Sequence, residues 1–296
     1  SKLPCSADSR NYVKKMPVVL LQKITTFTFQ FKSMSKLPHV TASIFSVMSQ
    51  LANEHGAINL SQGFPNFPVD ERLLQLSEAL QRENIHQYTP MAGLPSLLDK
   101  IAKRTLENYQ RKVNPATEIL VTAGATQGIF TAINTFVNKG DEVIILDPSY
   151  DSYEPSVLVA GGTPVRISLN DDYSPDFNRM EAAITSKTTA ILATHVFGNP
   201  CHVEAIENIA KKHNLAVIYD AAHCFGVTYK GNSIFNFGDV STCSFHATKI
   251  FHTGEGGAMF CNDENLFHKL FYSHNFGHNG PLEFHGLGIN AKISEL

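Results

Sequence analysis

The sequence predicts an α/β fold, a mostly parallel sheet with helices on both faces. Two observations carry that prediction. From Glu118 to Phe245, short apolar runs alternate with segments of helical periodicity, the order in which parallel strands are joined by crossovers. The polar residues that interrupt this pattern fall at the ends of the apolar runs, where such sheets bind ligands.

The elements follow in order. Ile44, Phe45, Val47, Met48 and Leu51 recur at helical spacing, so Thr41–Glu54 reads as a helix with Thr41 as its N-cap. An extended segment with a turn follows over Ala57–Pro65, then helices near Asp70–Arg82 and Ser96–Tyr109. The alternation proper begins with strand Glu118–Ala123, helix Thr126–Val137, strand Glu142–Leu146, helix Tyr153–Ala160 and strand Thr163–Ile167. It continues with helix Asp176–Ile184, strand Thr189–Thr194, helix Val203–His213 and strands Ala216–Tyr219 and Val240–Phe245. The histidines His268, His274, His278 and His285 read either as a polar loop region or as hydroxyl-directed donors and acceptors.

Composition excludes several classes of protein. With 17% charged residues and a net charge of −3, the chain lacks the basic surface of a nucleic-acid binder. No apolar run is long enough to span a bilayer. Cys5, Cys201, Cys224, Cys243 and Cys261 form no CxxC pair, which reads as reduced cytoplasmic thiols and not a disulfide frame or zinc site. Residues 1–33 carry six Lys or Arg against one Asp, and Ser1-Lys2-Leu3-Pro4 recurs at Ser35-Lys36-Leu37-Pro38 just after Met34. The expected organisation is a disordered basic leader over 1–33, an N-terminal helical segment over 34–110 and a large cofactor-binding domain over 111–296.

The chemistry is concentrated at the strand ends. Lys249 closes the run Ser244–Lys249 and is followed by Gly254-Glu255-Gly256-Gly257, while Asp220 ends the apolar run Leu215–Tyr219. A buried carboxylate is costly unless it meets a cation. A lysine amine and an aspartate are the pair that pyridoxal phosphate (PLP) takes from a protein, the amine for its aldehyde and the carboxylate for its pyridinium. Upstream, Gly124, Ala125 and Thr126 turn the chain from a strand into a helix whose free N–H groups suit a phosphate dianion; a tight turn would demand the same small residues. Tyr150, after the next strand, can cover one face of a pyridine ring or be an ordinary buried aromatic. His223 can reach the ring or be a plain loop histidine, and Ser244 can donate to the phosphate. Each signal is weak alone, and together they occur in order at successive strand ends.

These residues resemble the fold-type I PLP-dependent aminotransferases in two parts. Residues 34 to about 170, with Ile58–Pro65, His86-Gln87-Tyr88, Thr122–Gln127 and Asp151-Ser152-Tyr153, resemble class I enzymes of the methionine/kynurenine type. From about residue 190, Gly198-Asn199-Pro200-Cys201, Asp220–His223, Ser244–Lys249, Glu255-Gly256-Gly257 and Gly288–Lys292 resemble the DegT/DnrJ/EryC1/StrS sugar aminotransferases. The resemblance implies that Lys249 is the Schiff-base lysine and that Asp220 meets the pyridine nitrogen. It places His223 near the phenolic oxygen, Ser244, Ala125 and Thr126 on the phosphate, and Tyr150 on the ring. It further implies that Asn290 reaches the phosphate of a partner subunit in a homodimer. The sequence departs from class I in carrying Phe197-Gly198-Asn199-Pro200-Cys201 and no matching carboxylate-gripping arginine. It also stops where relatives continue through a smaller C-terminal domain.

The expected function is transfer of an amino group from an amino acid, glutamate, to a keto acceptor, a nucleotide-linked keto-sugar. The alternatives are an amino-acid aminotransferase acting on 2-oxo acids and a catalytically inactive PLP-fold protein. No nucleic acid or membrane is expected as a partner.

Overall fold

A seven-stranded sheet organises the computed structural model, which describes residues 37, 40–63, 65, 67–83, 85 and 87–294. The expected leader over 1–33 lies outside the described residues, as do Phe64 and His86 of the motifs above. Residues 39–296 make up one compact unit; of the unit formed by residues 1–38 only Leu37 is described.

Three helices come first: α1 (Ile44–Glu54), α2 (Glu71–Gln81) and α3 (Pro95–Tyr109). Ser43, and not Thr41, caps α1, its side chain accepting from Phe45 N–H at 3.2 Å. Both hydroxyl residues suit an N-cap, so composition alone could not separate them. The sheet region then runs β1 (Ile119–Thr122), α4 (Gly124–Phe136), β2 (Glu142–Asp147), α5 (Tyr153–Val159), β3 (Thr163–Ser168), α6 (Phe177–Ala182) and β4 (Thr188–Thr194). After it come α7 (Val203–His213), β5 (Ala216–Asp220), the short pair β6 (Thr228–Tyr229) and β7 (Asn232–Ser233), β8 (Val240–Ser244), β9 (Gly257–Cys261) and α8 (Glu264–His274).

Strands β3, β2, β4, β5 and β8 are parallel, and β9 lies antiparallel between β8 and β1. The last strand and α8 were not among the expected elements. Gly257-Ala258-Met259-Phe260-Cys261 is a short run opened by a glycine, which reads as a turn. The apolar stripe Leu266, Phe267, Leu270 and Phe271 is interleaved with histidines, which masked its helical period. His268 and His274 therefore stand on a helix; His278 pairs with Phe284 across an isolated bridge.

Both faces of the sheet are buried, and the strand period of two sorts side chains between them. Ile144, Ile191, Ala193, Val217, Tyr219, Ala258 and Phe260 face α3, α6 and α7, and pack with Leu98, Met180 and Ile206. Val143, Ile145, Leu192, Ile218 and Met259 face α4, α5 and α8, and pack with Ile129, Ile133, Val157 and Leu270. Because a one-residue slip would exchange the two sets, this double burial fixes the register. The register in turn fixes the strand ends: Asp220 lies beside Thr194 of β4 and Thr242 of β8.

One close approach joins the first strand's turn to the last strand. A Cβ on Gly257 would come within 2.7 Å of Cys243 O and of Gly124 C, and within 2.9 Å of Ala125 N. Only a bare backbone fits between β8 and the start of α4. The substitution Gly257→Ala should therefore destabilise the fold by about 1–3 kcal/mol, read as a lowered midpoint in urea with an unchanged slope.

Two histidines are locked in the interior. His274 Nδ1 accepts from Gln127 Nε2 at 3.2 Å, and its Nε2 donates to Met91 O at 2.8 Å. His195 stacks on Tyr219 with ring centroids 4.6 Å apart. Burial lowers both from the usual 6.5 to about 4. Between those values the unfolded chain binds protons that the folded chain refuses, so stability rises with pH through this window and falls as pH drops through it. Each histidine should contribute on the order of 3 kcal/mol to that loss. Unfolding curves at several pH values should show it, and His274→Gln should flatten the slope.

Candidate active site

The C-terminal ends of the parallel strands open into a cleft of about 1180 Å³. Gly124, Ala125, Thr126, Tyr150, Asp220, His223, Ser244 and Lys249 all line it. The structure thus brings together every expected site residue except Asn290. That residue is exposed, pairs with Asn275 in an isolated bridge and is not part of the cleft wall in a single chain.

At the floor, Asp220 is 6% exposed. Its backbone is pinned by His195 N–H donating to Asp220 O at 3.0 Å, and the next residue's N–H donates to Thr242 O at 2.9 Å. Its Oδ1 accepts from Ala222 N–H at 2.8 Å and its Oδ2 from the Tyr153 hydroxyl at 2.5 Å. No ion pair joins it to a Lys or Arg among the described residues, so a buried carboxylate faces the cleft without a cation.

Lys249 sits in the loop between β8 and β9, half-buried, with Nζ 2.9 Å from His223 Nε2. Burial lowers its pKa below the ordinary lysine value, a shift that Asp220 and Cys243 oppose. Desolvation, followed by the adjacent lysine, lowers His223 as well. Both shifts favour the uncharged forms, and an uncharged amine is what a lysine needs to act as nucleophile or base. Phe197 lies parallel to His223, centroids 6.0 Å apart. It is 85% exposed and holds a left-handed backbone at φ 55°, conformational strain of the kind that collects at functional sites.

The start of α4 supplies the anion end. Its N-cap, Ala123, offers no side-chain acceptor, and Gly124 takes φ 85° to turn the chain into the helix. The first-turn N–H groups are thus left for a ligand, with the positive end of the helix behind them. Ser244 ends β8 buried, its Oγ accepting from His246 N–H at 3.3 Å. Tyr150 is 43% exposed, tilted against Tyr153 at 5.9 Å and Phe45 of α1 at 6.3 Å.

Three further groups were not read from sequence as site residues. Tyr153 is quoted in a motif, but its place under Asp220 depends on how α5 lies over the sheet. Thr194 looks like any strand threonine until register sets it beside Asp220. His195 carries a buried Nε2 without a partner and lines the cleft; no local pattern marks it.

An open helix start, a buried carboxylate facing the cleft and a half-buried amine whose charged form burial disfavours are the set of groups that a phosphate-bearing pyridinium aldehyde requires. The residues fit PLP. Fold and site together define a fold-type I PLP-dependent aminotransferase scaffold. Residues 103–296 match the DegT/DnrJ/EryC1/StrS aminotransferase family, and the chain belongs to that family. It is 36% identical over 234 residues to a dTDP-4-amino-4,6-dideoxy-D-glucose transaminase of Shigella dysenteriae, covering 78% of this chain and 60% of that protein. It is 39% identical over 159 residues to a methionine aminotransferase of Escherichia coli, covering 53% of this chain and 41% of that protein. A solved Escherichia coli structure with a methionine aminotransferase function superposes with a TM-score of 0.72 at 29% identity, over 82% of this chain and 67% of the other. The chain therefore spans about half the length of the curated relatives it matches. No helix among the described residues is long and apolar enough to cross a membrane.

A lowered amine pKa raises the fraction of free amine at a given pH. At about pH 8 an amine-acylating reagent should label Lys249 ahead of the exposed Lys187. Peptide mapping decides it, and equal labelling would mean that Lys249 titrates as a surface lysine.

Proposed function

We propose that this chain holds PLP over Asp220 and that the complete protein transfers an amino group from glutamate to a nucleotide-linked keto-sugar. The observation that carries the reading is the single cleft shared by Lys249, Asp220 and the open start of α4. Bound there, PLP supplies a carbonyl carbon that accepts the amino group and a cationic ring that stabilises negative charge at the substrate's α-carbon.

The protein's part follows from the residues present. Lys249 would hold the cofactor through its aldehyde and would move the proton at the α-carbon of the substrate. Asp220 would meet the ring nitrogen. Gly124, Ala125, Thr126 and Ser244 would hold the phosphate, with Tyr150 to cover the ring and His223 to meet the phenolic oxygen. Asn290, outside this chain's own cleft, serves the second site of a homodimer. Residues 34–110 act as the helical N-terminal segment and 111–296 as the cofactor-binding domain of a cytoplasmic enzyme.

The wall of the cleft supports the sugar as acceptor. Lys249 is the only Lys or Arg among its described lining residues, while Ser61, Gln62, Ser149, Ser174, Asn199 and Thr248 offer hydroxyl and amide groups. A 2-oxo acid needs a partner for its carboxylate, best met by a guanidinium. Arg166 pairs with Glu154 and Asp147, and Arg179 with Asp176, and none of the five lines that wall. Two named sugar-modifying relatives, the transaminase above and a GDP-perosamine synthase of Escherichia coli O157:H7 at 35% identity, support the same reading. The methionine aminotransferase matches favour the second reading, an enzyme acting on 2-oxo acids.

Borohydride should fix PLP onto Lys249, and Lys249→Ala should abolish that adduct; an adduct mapped to Lys292 would refute the assignment. Asp220→Ala should keep the cofactor attached yet lower kcat by roughly several orders of magnitude with little change in substrate binding. After loading with amino groups from glutamate, the protein should be discharged by nucleotide-linked keto-sugars faster than by 4-methylthio-2-oxobutyrate. The reverse order establishes the second reading, and discharge by neither marks an inactive PLP-fold protein.

A further inference from the structure

The two oxygens of Asp220 are held by different means. Oδ1 accepts from a backbone N–H, that of Ala222, at 2.8 Å, a bond fixed by the local turn. Oδ2 accepts from a side chain brought in from another layer, the hydroxyl of Tyr153 at the first position of α5. That phenol is 1% exposed, and its oxygen lies 2.8 Å from Thr194 Oγ1. A phenol has one proton, and the carboxylate can only accept. The Tyr153 proton is therefore committed to Asp220, and the Thr194 hydroxyl donates to the phenol oxygen. Threonine, tyrosine and aspartate form a one-way chain of donors that ends on the carboxylate, each bond polarising the next.

Tyr153 is the only side-chain donor to Asp220 among the described residues. The other titratable groups facing the carboxylate are His223, Lys249, Cys224 and Cys243. His223 and Lys249 bond to each other, and burial keeps the two thiols protonated. Burial, then the neighbouring carboxylate, raises the Tyr153 phenol well above the ordinary tyrosine value, so it remains a donor throughout the working pH range.

We propose that Tyr153 is the positioning residue of the cofactor site, donating to Oδ2 so that the Asp220 carboxylate is held turned toward the nitrogen of the PLP ring. The inference rests on the reading that PLP lies over Asp220. Its physical content is a balance of proton affinities. A carboxylate that receives a strong hydrogen bond is a weaker base, and leaves the shared proton on the ring nitrogen. Without the phenol the carboxylate becomes more basic, takes more of that proton and leaves the ring a poorer acceptor of electrons. Tyr153 thereby acts on the cofactor without touching it, and Thr194 supports it by donating to its oxygen.

Two measurements test this without relying on turnover. In the apoprotein labelled with carboxyl-13C aspartate, the Asp220 resonance is identified by its loss in Asp220→Asn. Tyr153→Phe should raise the midpoint of its titration, lowering the acid constant about ten- to a hundredfold, the range for a hydrogen bond to a charged group. Incorporating 3-fluorotyrosine at position 153, a stronger acid of nearly the same shape, should move the midpoint the other way and guards against a Phe variant that folds poorly. In the protein loaded with PLP carrying 15N in its ring, Tyr153→Phe should move the nitrogen resonance from the pyridinium position toward that of neutral pyridine. If Asp220→Asn moves that resonance while neither Tyr153 variant moves it or the carboxyl midpoint, the proposal is overturned and the placement of PLP over Asp220 stands. If Asp220→Asn itself leaves the nitrogen unchanged, the placement fails, and the proposal fails with it.

Discussion

The structure turns on the cost of keeping one carboxylate in the dry interior at the end of β5. An ion there is penalised by several kcal/mol unless its surroundings replace the lost water. The fold meets that demand in layers: a turn amide at Oδ1, a phenol from α5 at Oδ2 and a threonine of β4 behind the phenol. No Lys or Arg among the described residues forms an ion pair with it, and the cleft lies directly above. Stability and chemistry thus pull on the same group, since the bonds that make burial tolerable also aim the charge.

Double burial of the sheet gives this arrangement its accuracy. Each central strand sends alternate side chains into two different cores, so none can shift by a residue without placing large apolar groups among the wrong neighbours. The strand ends inherit that certainty. Lys249 is held less strictly, in a loop whose ends are tied by Phe245 N–H to Gly256 O at 2.8 Å and Thr253 N–H to Phe245 O at 2.9 Å. An acid fixed at a strand end and an amine carried on a loop suit groups of which one holds a fixed charge and the other moves a proton.

How much of this the sequence revealed depended on whether the signal was local. Asp220 and Lys249 stand out because a charge after five apolar residues, or beside a glycine run, conflicts with its surroundings in one dimension. The parallel sheet was legible for a similar reason, as periodicity repeated along the chain. Tyr153 was not, because its meaning lies in a contact across 67 positions that only register creates. Strand β9 was hidden by its brevity and its opening glycine, and α8 by histidines that made an amphipathic stripe resemble a loop. At α1 the choice between Thr41 and Ser43 was beyond composition, since either hydroxyl can cap a helix.

The antiparallel strand β9 has a consequence for assembly of the fold. It pairs with β8 only a short way back along the chain but also with β1, joining Phe260 to Ile119. The first pairing closes a small loop early and cheaply; the second closes a long one and waits on the rest of the chain. The anion end of the cleft follows β1 and the amine lies in the loop before β9, so the two become neighbours only when that late pairing is made. A ligand spanning both would bind the finished sheet and nothing less, adding its binding free energy to the last step of folding alone. Retention of such a ligand would thus double as an inspection of the completed sheet.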